Sequence, residues 1–229
     1  MNVGEVYDLF RSLVDEPDET FLSVGNTQTY LHAGHLEYRG KITDINPEVF
    51  SSRIWITPTT EEFELAGVIF SSAAAAAPAA DQAQRIIRIG VVDSAASDQI
   101  SYYLVPCQSP VEVENAQGDY CLAGTKLIFS SKMSSTTLRI EYVRVPGITK
   151  TDWVTGSVTF IDNFPNFHPL IALYAARYYA IRDGASNAPL LAQLAHKEDE
   201  LKQFLATGMT TDNAQYISPQ IGYSNVVVI

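Results

Sequence analysis

The residues in this chain that could do chemistry are few: four histidines, two cysteines and two short runs of carboxylates. His32 and His35 stand three apart, so on a helix they would project from neighbouring positions, as metal ligands can. No His-Glu-x-x-His spacing accompanies them and no cysteine pair stands at zinc spacing, so the reading expects packing or surface histidines and no metal. His168, directly before Pro169, reads as a helix-start residue, and His196 completes the set. Asp15, Glu16, Asp18 and Glu19 have the carboxylate density of a calcium loop but lack its alternating order and its closing bidentate glutamate, which leaves a solvated hairpin loop. Glu198, Asp199 and Glu200 form a second acidic run. It is read as a solvated face, with a channel-facing or partner-facing role as the alternative. Cys107 and Cys121 could close a small disulfide loop; the expectation is free, buried thiols, and nothing in the sequence points to an oxidising compartment. There is no Gly-x-Ser-x-Gly elbow and no glycine-rich phosphate loop. Tyr174, Tyr178 and Tyr179 could form a stacking platform. Because Tyr174 and Tyr178 fall at i, i+4, packing between helices is the expected role. The reading therefore expects no catalytic residue, no cofactor and no enzyme.

Composition narrows the classes further. The chain has 229 residues with 15 Lys+Arg against 26 Asp+Glu, a net charge of −11, and 46% hydrophobic residues. That is enough apolar content to bury a core. The acidity argues against a surface that holds nucleic acid by neutralising phosphates. No apolar run approaches the ~20 residues of a membrane span, and the acidic start is not a signal peptide, so no membrane partner is expected.

The elements that must position these groups follow from periodicity. Val3, Val6, Tyr7, Phe10, Leu13 and Val14 recur at helical spacing until Pro17 stops the pattern. After the acidic loop, Ser23 reads as an N-cap, and Leu31, Gly34 or His35, Tyr38 and Ile42 fall on one face, giving an αα-hairpin. From about residue 51 the period shortens to two. Runs at Arg53 to Ile56, Phe63 to Leu65, Arg85 to Ile89, Ile100 to Leu104 and Lys126 to Phe129 read as strands, and Ala123-Gly124 reads as a turn. Thr137 to Tyr142 is the clearest strand, with Leu138, Ile140 and Tyr142 on one face and Arg139 and Glu141 expected in water. The Ala-rich stretch at 73–80, broken by Pro78, reads as an exposed loop.

Helix resumes at Pro169. Leu170, Leu173, Tyr174, Arg177 and Ile181 form its stripe, and Gly184 is its expected stop. Asn187 is the expected cap of a last helix with Leu190, Leu191, Leu194, Leu201, Phe204 and Leu205 on one side, ended by Gly208. The predicted fold is α+β. N- and C-terminal helical hairpins (1–50 and 160–208) form one discontinuous bundle, an antiparallel β domain (51–159, a sandwich or small barrel) is inserted, and 209–229 is an extended tail. Tyr216, Ile217, Ile221, Tyr223, Val226, Val227, Val228 and Ile229 make that tail too apolar for an inert terminus. A run such as the last four suits strand addition to a partner's sheet edge.

This arrangement resembles the head-to-tail connector (adaptor) proteins of tailed bacteriophages. Three segments carry the resemblance: Val3 to Leu9 through Ser23 with Tyr30-Leu31 and Glu37-Tyr38; the hairpin from Gly124 to Pro146; and Phe164-Pro165 through His168-Pro169-Leu170 to Tyr178. The chain departs from the pattern at Gly25-Asn26-Thr27 and Gly34, and in the Ala-rich insertion. The resemblance implies a structural virion protein of the neck, made in the host cytoplasm. It would assemble as a dodecameric ring with copies of itself, between the portal protein and a tail or nozzle protein. The ring would extend a channel through which DNA passes without specific binding, and the C-terminal segment would dock on the portal. Another virion component, such as a tail-completion, nozzle or decoration protein with a receptor-binding β domain, is the alternative.

Overall fold

A computed structural model describes residues 1–14, 22–65, 83–93, 99–130, 133, 135–183 and 188–207. The acidic loop, the Ala-rich stretch, Gly184, Asn187, Gly208 and the whole tail from Met209 to Ile229 lie outside the described residues. Among those described, the chain is a mixed α+β protein with five helices and two four-stranded sheets, neither closed into a barrel. The described residues divide into a helical unit, made of Met1–Val49 and of the later chain from Pro146 to Thr207, and a β unit, Phe50–Val145.

In the helical unit, α1 (Val3–Leu13) buries Val3, Val6, Tyr7 and Phe10, the stripe its spacing requires. Its start is a capping box. Asn2 Oδ1 accepts from Glu5 N, and Glu5 Oε2 accepts from Asn2 N, both at 2.9 Å. Two further first-turn donors, Val3 N and Gly4 N, give to Thr159 O (3.1 Å) and Ser157 O (2.9 Å). Gly4 permits this approach, since a Cβ there would lie 2.6 Å from Ser157 N. Residues 146–159, expected within the β domain, therefore belong to the helical unit: their backbone carbonyls complete the start of α1.

Ser23 caps α2 (Val24–Ile45), its Oγ accepting from Asn26 N at 3.4 Å. Leu31, Gly34, His35, Tyr38 and Ile42 are all buried along α2. Arg11 is buried and donates from Nη1 to Leu22 O (2.7 Å) and Thr27 Oγ1 (3.1 Å), fastening the end of α1 to the beginning of α2. Helix α4 (Pro169–Asp183) begins on proline, whose missing N–H costs nothing at a first position. Every residue from Leu170 to Ala176 is buried, because α4 packs against α1, α2 and α5 (Ala188–Thr207). A helix enclosed on several sides has no single stripe. Ile181, expected on that stripe, is exposed. So is Leu191 on α5, whose buried face is Leu190, Leu194, Leu201 and Leu205. Phe204 stays partly exposed while its ring meets Phe164 and Phe167 at 6.0 and 5.2 Å.

In the β unit, β1 (Ser51–Ile56), β8 (Leu138–Arg144), β3 (Ala83–Val92) and β4 (Ile100–Tyr103) form one antiparallel sheet in that order. The second sheet runs β2 (Glu62–Glu64), β7 (Lys126–Phe129), β6 (Tyr120–Ala123) and β5 (Pro106–Cys107). Its β5–β6 pair is parallel, not antiparallel as expected, because the short helix α3 (Pro110–Glu114) carries the chain back between them. Gly124, at φ +65°, makes the tight β6–β7 turn in a conformation that suits glycine. Ile54, Ile56, Ile89, Val91, Leu138 and Ile140 of the first sheet share one core with Leu65, Tyr120, Leu127 and Phe129 of the second region.

One expectation is reversed here. Arg139 and Glu141 are buried, at 6% and 3% exposure, not solvated. Strand β8 lies between β1 and β3, whose Arg53 and Arg88 stand on either side of Glu141, so the alternation of apolar and charged residues does not mark a wet face. Glu141 is opposite Arg53 on β1 and Arg88 on β3, and the three arginines around it satisfy its carboxylate.

Candidate functional site

The acidic run on α5 is not a bare anionic wall. Glu198 accepts from Tyr174 OH on α4 (2.7 Å) and pairs with Lys41 on α2 (3.4 Å). Asp199 pairs with Lys202, and Glu200 with Lys197 and His196. On the neighbouring seam Glu37 of α2 receives Arg177 and Tyr178 of α4. Glu198 and Glu37 thus join helices, while Asp199 and Glu200 are paired along α5 itself. Burial, reinforced by Glu198, raises the Tyr174 hydroxyl, and burial followed by Glu37 raises that of Tyr178. Both tyrosines therefore stay neutral donors. The three tyrosines do not form a stacking platform: Tyr174 and Tyr178 bond carboxylates, and Tyr179 meets Tyr30 edge-on at 6.0 Å.

His168 is fully buried at the start of α4. Its Nδ1 lies 2.7 Å from Met1 O and its Nε2 2.7 Å from Asp162 Oδ1. The same Asp162 oxygen accepts from Phe164 N (2.8 Å) and Tyr38 OH (3.4 Å). This network ties the N-terminus, α2 and the turn before α4 together, so the residue read as a helix-start histidine is a structural junction. His35 is buried on α2 with its ring against Trp153, centroids 5.5 Å apart. No group of three or more metal-ligating side chains gathers among the described residues.

Burial, followed by the nearby Arg39 guanidinium, pushes His35 from its ordinary 6.5 down to about 3. A histidine depressed in the folded state takes up its proton on unfolding first. Stability is therefore complete above about pH 6.5 and declines as pH falls toward 3. The expected loss from this one group is about 2 kcal/mol at pH 5. Urea denaturation of wild type and His35→Phe at pH 7.5 and pH 5 measures it: the wild type should lose about 2 kcal/mol more than the variant, and equal losses would remove His35 as the cause.

Cys107 and Cys121 are free thiols facing each other across the parallel pair β5–β6. Cys121 is buried as expected, while Cys107 is half-buried. The docking residues read from the tail, Tyr216, Ile217, Ile221, Tyr223 and Val226 to Ile229, lie outside the described residues. Two interaction candidates went unread in the sequence. Val158 and Phe160 are 86% and 65% exposed, on the segment whose backbone caps α1. The other is an arginine-rich sheet face in the β unit. The signal for the first was present as Val158-x-Phe160, a strand-like alternation in which Phe160 forms an isolated bridge with Asn2. Among the described residues no helix is long and apolar enough to cross a membrane. Compared with known proteins, the chain matches no family model and no curated sequence.

Proposed function

We propose that this chain is a structural virion protein, a head-to-tail connector that forms a ring with copies of itself between the portal and the tail or nozzle of a tailed phage. The observation that carries the reading is the chain order of its units. A helical unit is built from both the beginning of the chain and its later part, and the β unit lies between those parts in sequence. The resemblance implies a similar order along the chain, terminal helical hairpins with an inserted β domain.

Two physical arguments support it. A conduit for DNA must not hold what passes through it, and a net charge of −11 repels phosphates instead of condensing them. The apolar tail from residue 209 suits a segment that is ordered on a partner, where a specific interface offsets the entropy of fixing it. In this reading the tail docks on the portal, and the helical unit supplies the ring.

The test is a chain ending at residue 208. It should keep the circular dichroism and urea midpoint of the full chain, since the buried helical and β cores lie upstream, and it should no longer co-sediment with portal rings. A shortened chain that still joins the portal as the full chain does would contradict the docking role.

A further inference from the structure

We propose that Cys107 and Cys121 form a two-thiol redox site, which a low-molecular-weight disulfide closes into a cross-strand bond that staples the edge strand β5 to β6. Strand register places the pair, whatever the chain assembles with. Cys107 of β5 is opposite Cys121 of β6, and Cys121 is opposite Ile128 of β7. Residues opposite one another point to the same side of a sheet, so both thiols share one face. The next row, Tyr120 and Phe129, points the other way, into the shared core. Neighbouring strands lie roughly 4.8 Å apart, which falls within the Cα separation that a disulfide spans.

The fold holds the two cysteines in this register before any bond forms. Val105 N donates to Asp119 Oδ2 at 2.9 Å, and Asp119 N donates to Val105 O at 2.8 Å, which fastens the chain just ahead of each cysteine. Between them the chain makes α3, where Gln108 N donates to Glu112 Oε2 (2.9 Å) and Glu112 N to Ser109 Oγ (3.4 Å). The loop from one thiol to the other is thus already closed, and linking its ends asks for little further ordering. Gly118 leaves Cys107 its room: a Cβ at that position would overlap Cys107 Sγ and lie 3.0 Å from Val105 O.

Exposure assigns the roles. Cys107 is half-buried and meets the oxidant, while the buried Cys121 needs to reach only Cys107. The Cys107 thiolate attacks one sulfur of the small disulfide, whose S–S bond breaks; a mixed disulfide forms on Cys107 and one small thiolate leaves. The Cys121 thiolate then attacks Cys107 Sγ and expels the second. The two cysteines are oxidised by two electrons, the small disulfide is reduced to two thiols, and those thiols carry off both protons. Partial burial, then Glu112, the Cys121 thiol and Asp119, raises the Cys107 thiol above its ordinary range, so closure accelerates as pH rises. The gain falls where the sheet is weakest. β5 is two residues long and ends the order β2-β7-β6-β5, so its second side has no strand to hold it.

The test takes the full reduced chain, incubates it with glutathione disulfide, and follows intact mass and non-reduced peptide maps. Wild type should lose two hydrogens, with Cys107 linked to Cys121, at least roughly tenfold faster at pH 8.5 than at pH 7. Cys121→Ser should stop at a lasting glutathione adduct on Cys107. Cys107→Ser should take up glutathione at least roughly tenfold more slowly than wild type is oxidised. In the oxidised wild type, amide exchange between Val105 and Cys121 should slow by at least roughly tenfold. A wild-type chain that keeps both thiols, retains glutathione on Cys107, or links to a second chain through Cys107 overturns the redox site. An internal bond that leaves amide exchange unchanged overturns the staple.

Discussion

Glu141→Leu should destabilise the protein by about 3–5 kcal/mol, because it removes one partner of a buried ion pair. The carboxylate is 4% exposed and accepts from Arg88 Nε at 2.5 Å and Arg139 Nη2 at 2.6 Å, with Arg53 Nε at 3.7 Å. Without it, Arg139, itself 7% exposed, loses its 2.6 Å carboxylate partner in the middle of the sheet. Removing both charges differs in kind. Arg139→Leu/Glu141→Leu leaves an apolar pair of similar volume and should recover most of the loss. An exposed pair supplies the control: Lys126 and Glu62 bridge β7 and β2 at 3.2 Å with both side chains more than half exposed, and Glu62→Ala should cost roughly 0–1 kcal/mol. Urea denaturation of the three variants checks the order. A single Glu141→Leu chain as stable as wild type would mean that the cluster does not hold β8 in place.

Two glycines of one helix should answer alanine with opposite signs. Gly34→Ala is expected to destabilise by about 1–3 kcal/mol and Gly40→Ala to stabilise by about 0.5–1 kcal/mol. Alanine improves helix propensity at both positions, so propensity cannot explain a difference. At Gly40 an added Cβ meets nothing within 4 Å. At Gly34 it would lie 2.5 Å from Ile171 O and 3.0 Å from Ala175 N, both backbone atoms of α4 that cannot swing aside. Gly34 is therefore a point of close approach between α2 and α4, and separating them disturbs the buried stretch Leu170 to Ala176. Thermal melts of the two variants decide it; shifts of equal sign would place the contact elsewhere.

Gly34 also shows where sequence reasoning reaches its limit. In one dimension it is a weak helix former that departs from the connector pattern, and only the approach of α4 gives it a purpose. Helix existence was legible because caps and stripes are local: Ser23, Pro169 and the Val3–Phe10 stripe all act as their chemistry requires. Burial on β8 was not legible, since alternation cannot distinguish a wet face from one packed with arginines contributed by strands that are distant in sequence. Ile181 and Leu191 fit helical periods yet are exposed while the adjacent Ala180 and Leu190 are buried, so each sits just off the face its helix packs. The acidic run on α5 was visible as composition, while its partners Lys41 and Tyr174 come from other helices. The unit boundary was misplaced for a similar reason. Residues 146–159 carry strand-like letters, and their carbonyls are used by α1.

The proposal that this chain works by fitting between neighbours is tested most directly by electron microscopy of the full chain mixed with the portal protein proposed as its partner. The account predicts a second, coaxial ring of this chain on one end of the portal, with an open channel running through both. Portal particles without added density, beside a chain that remains monomeric, would contradict it.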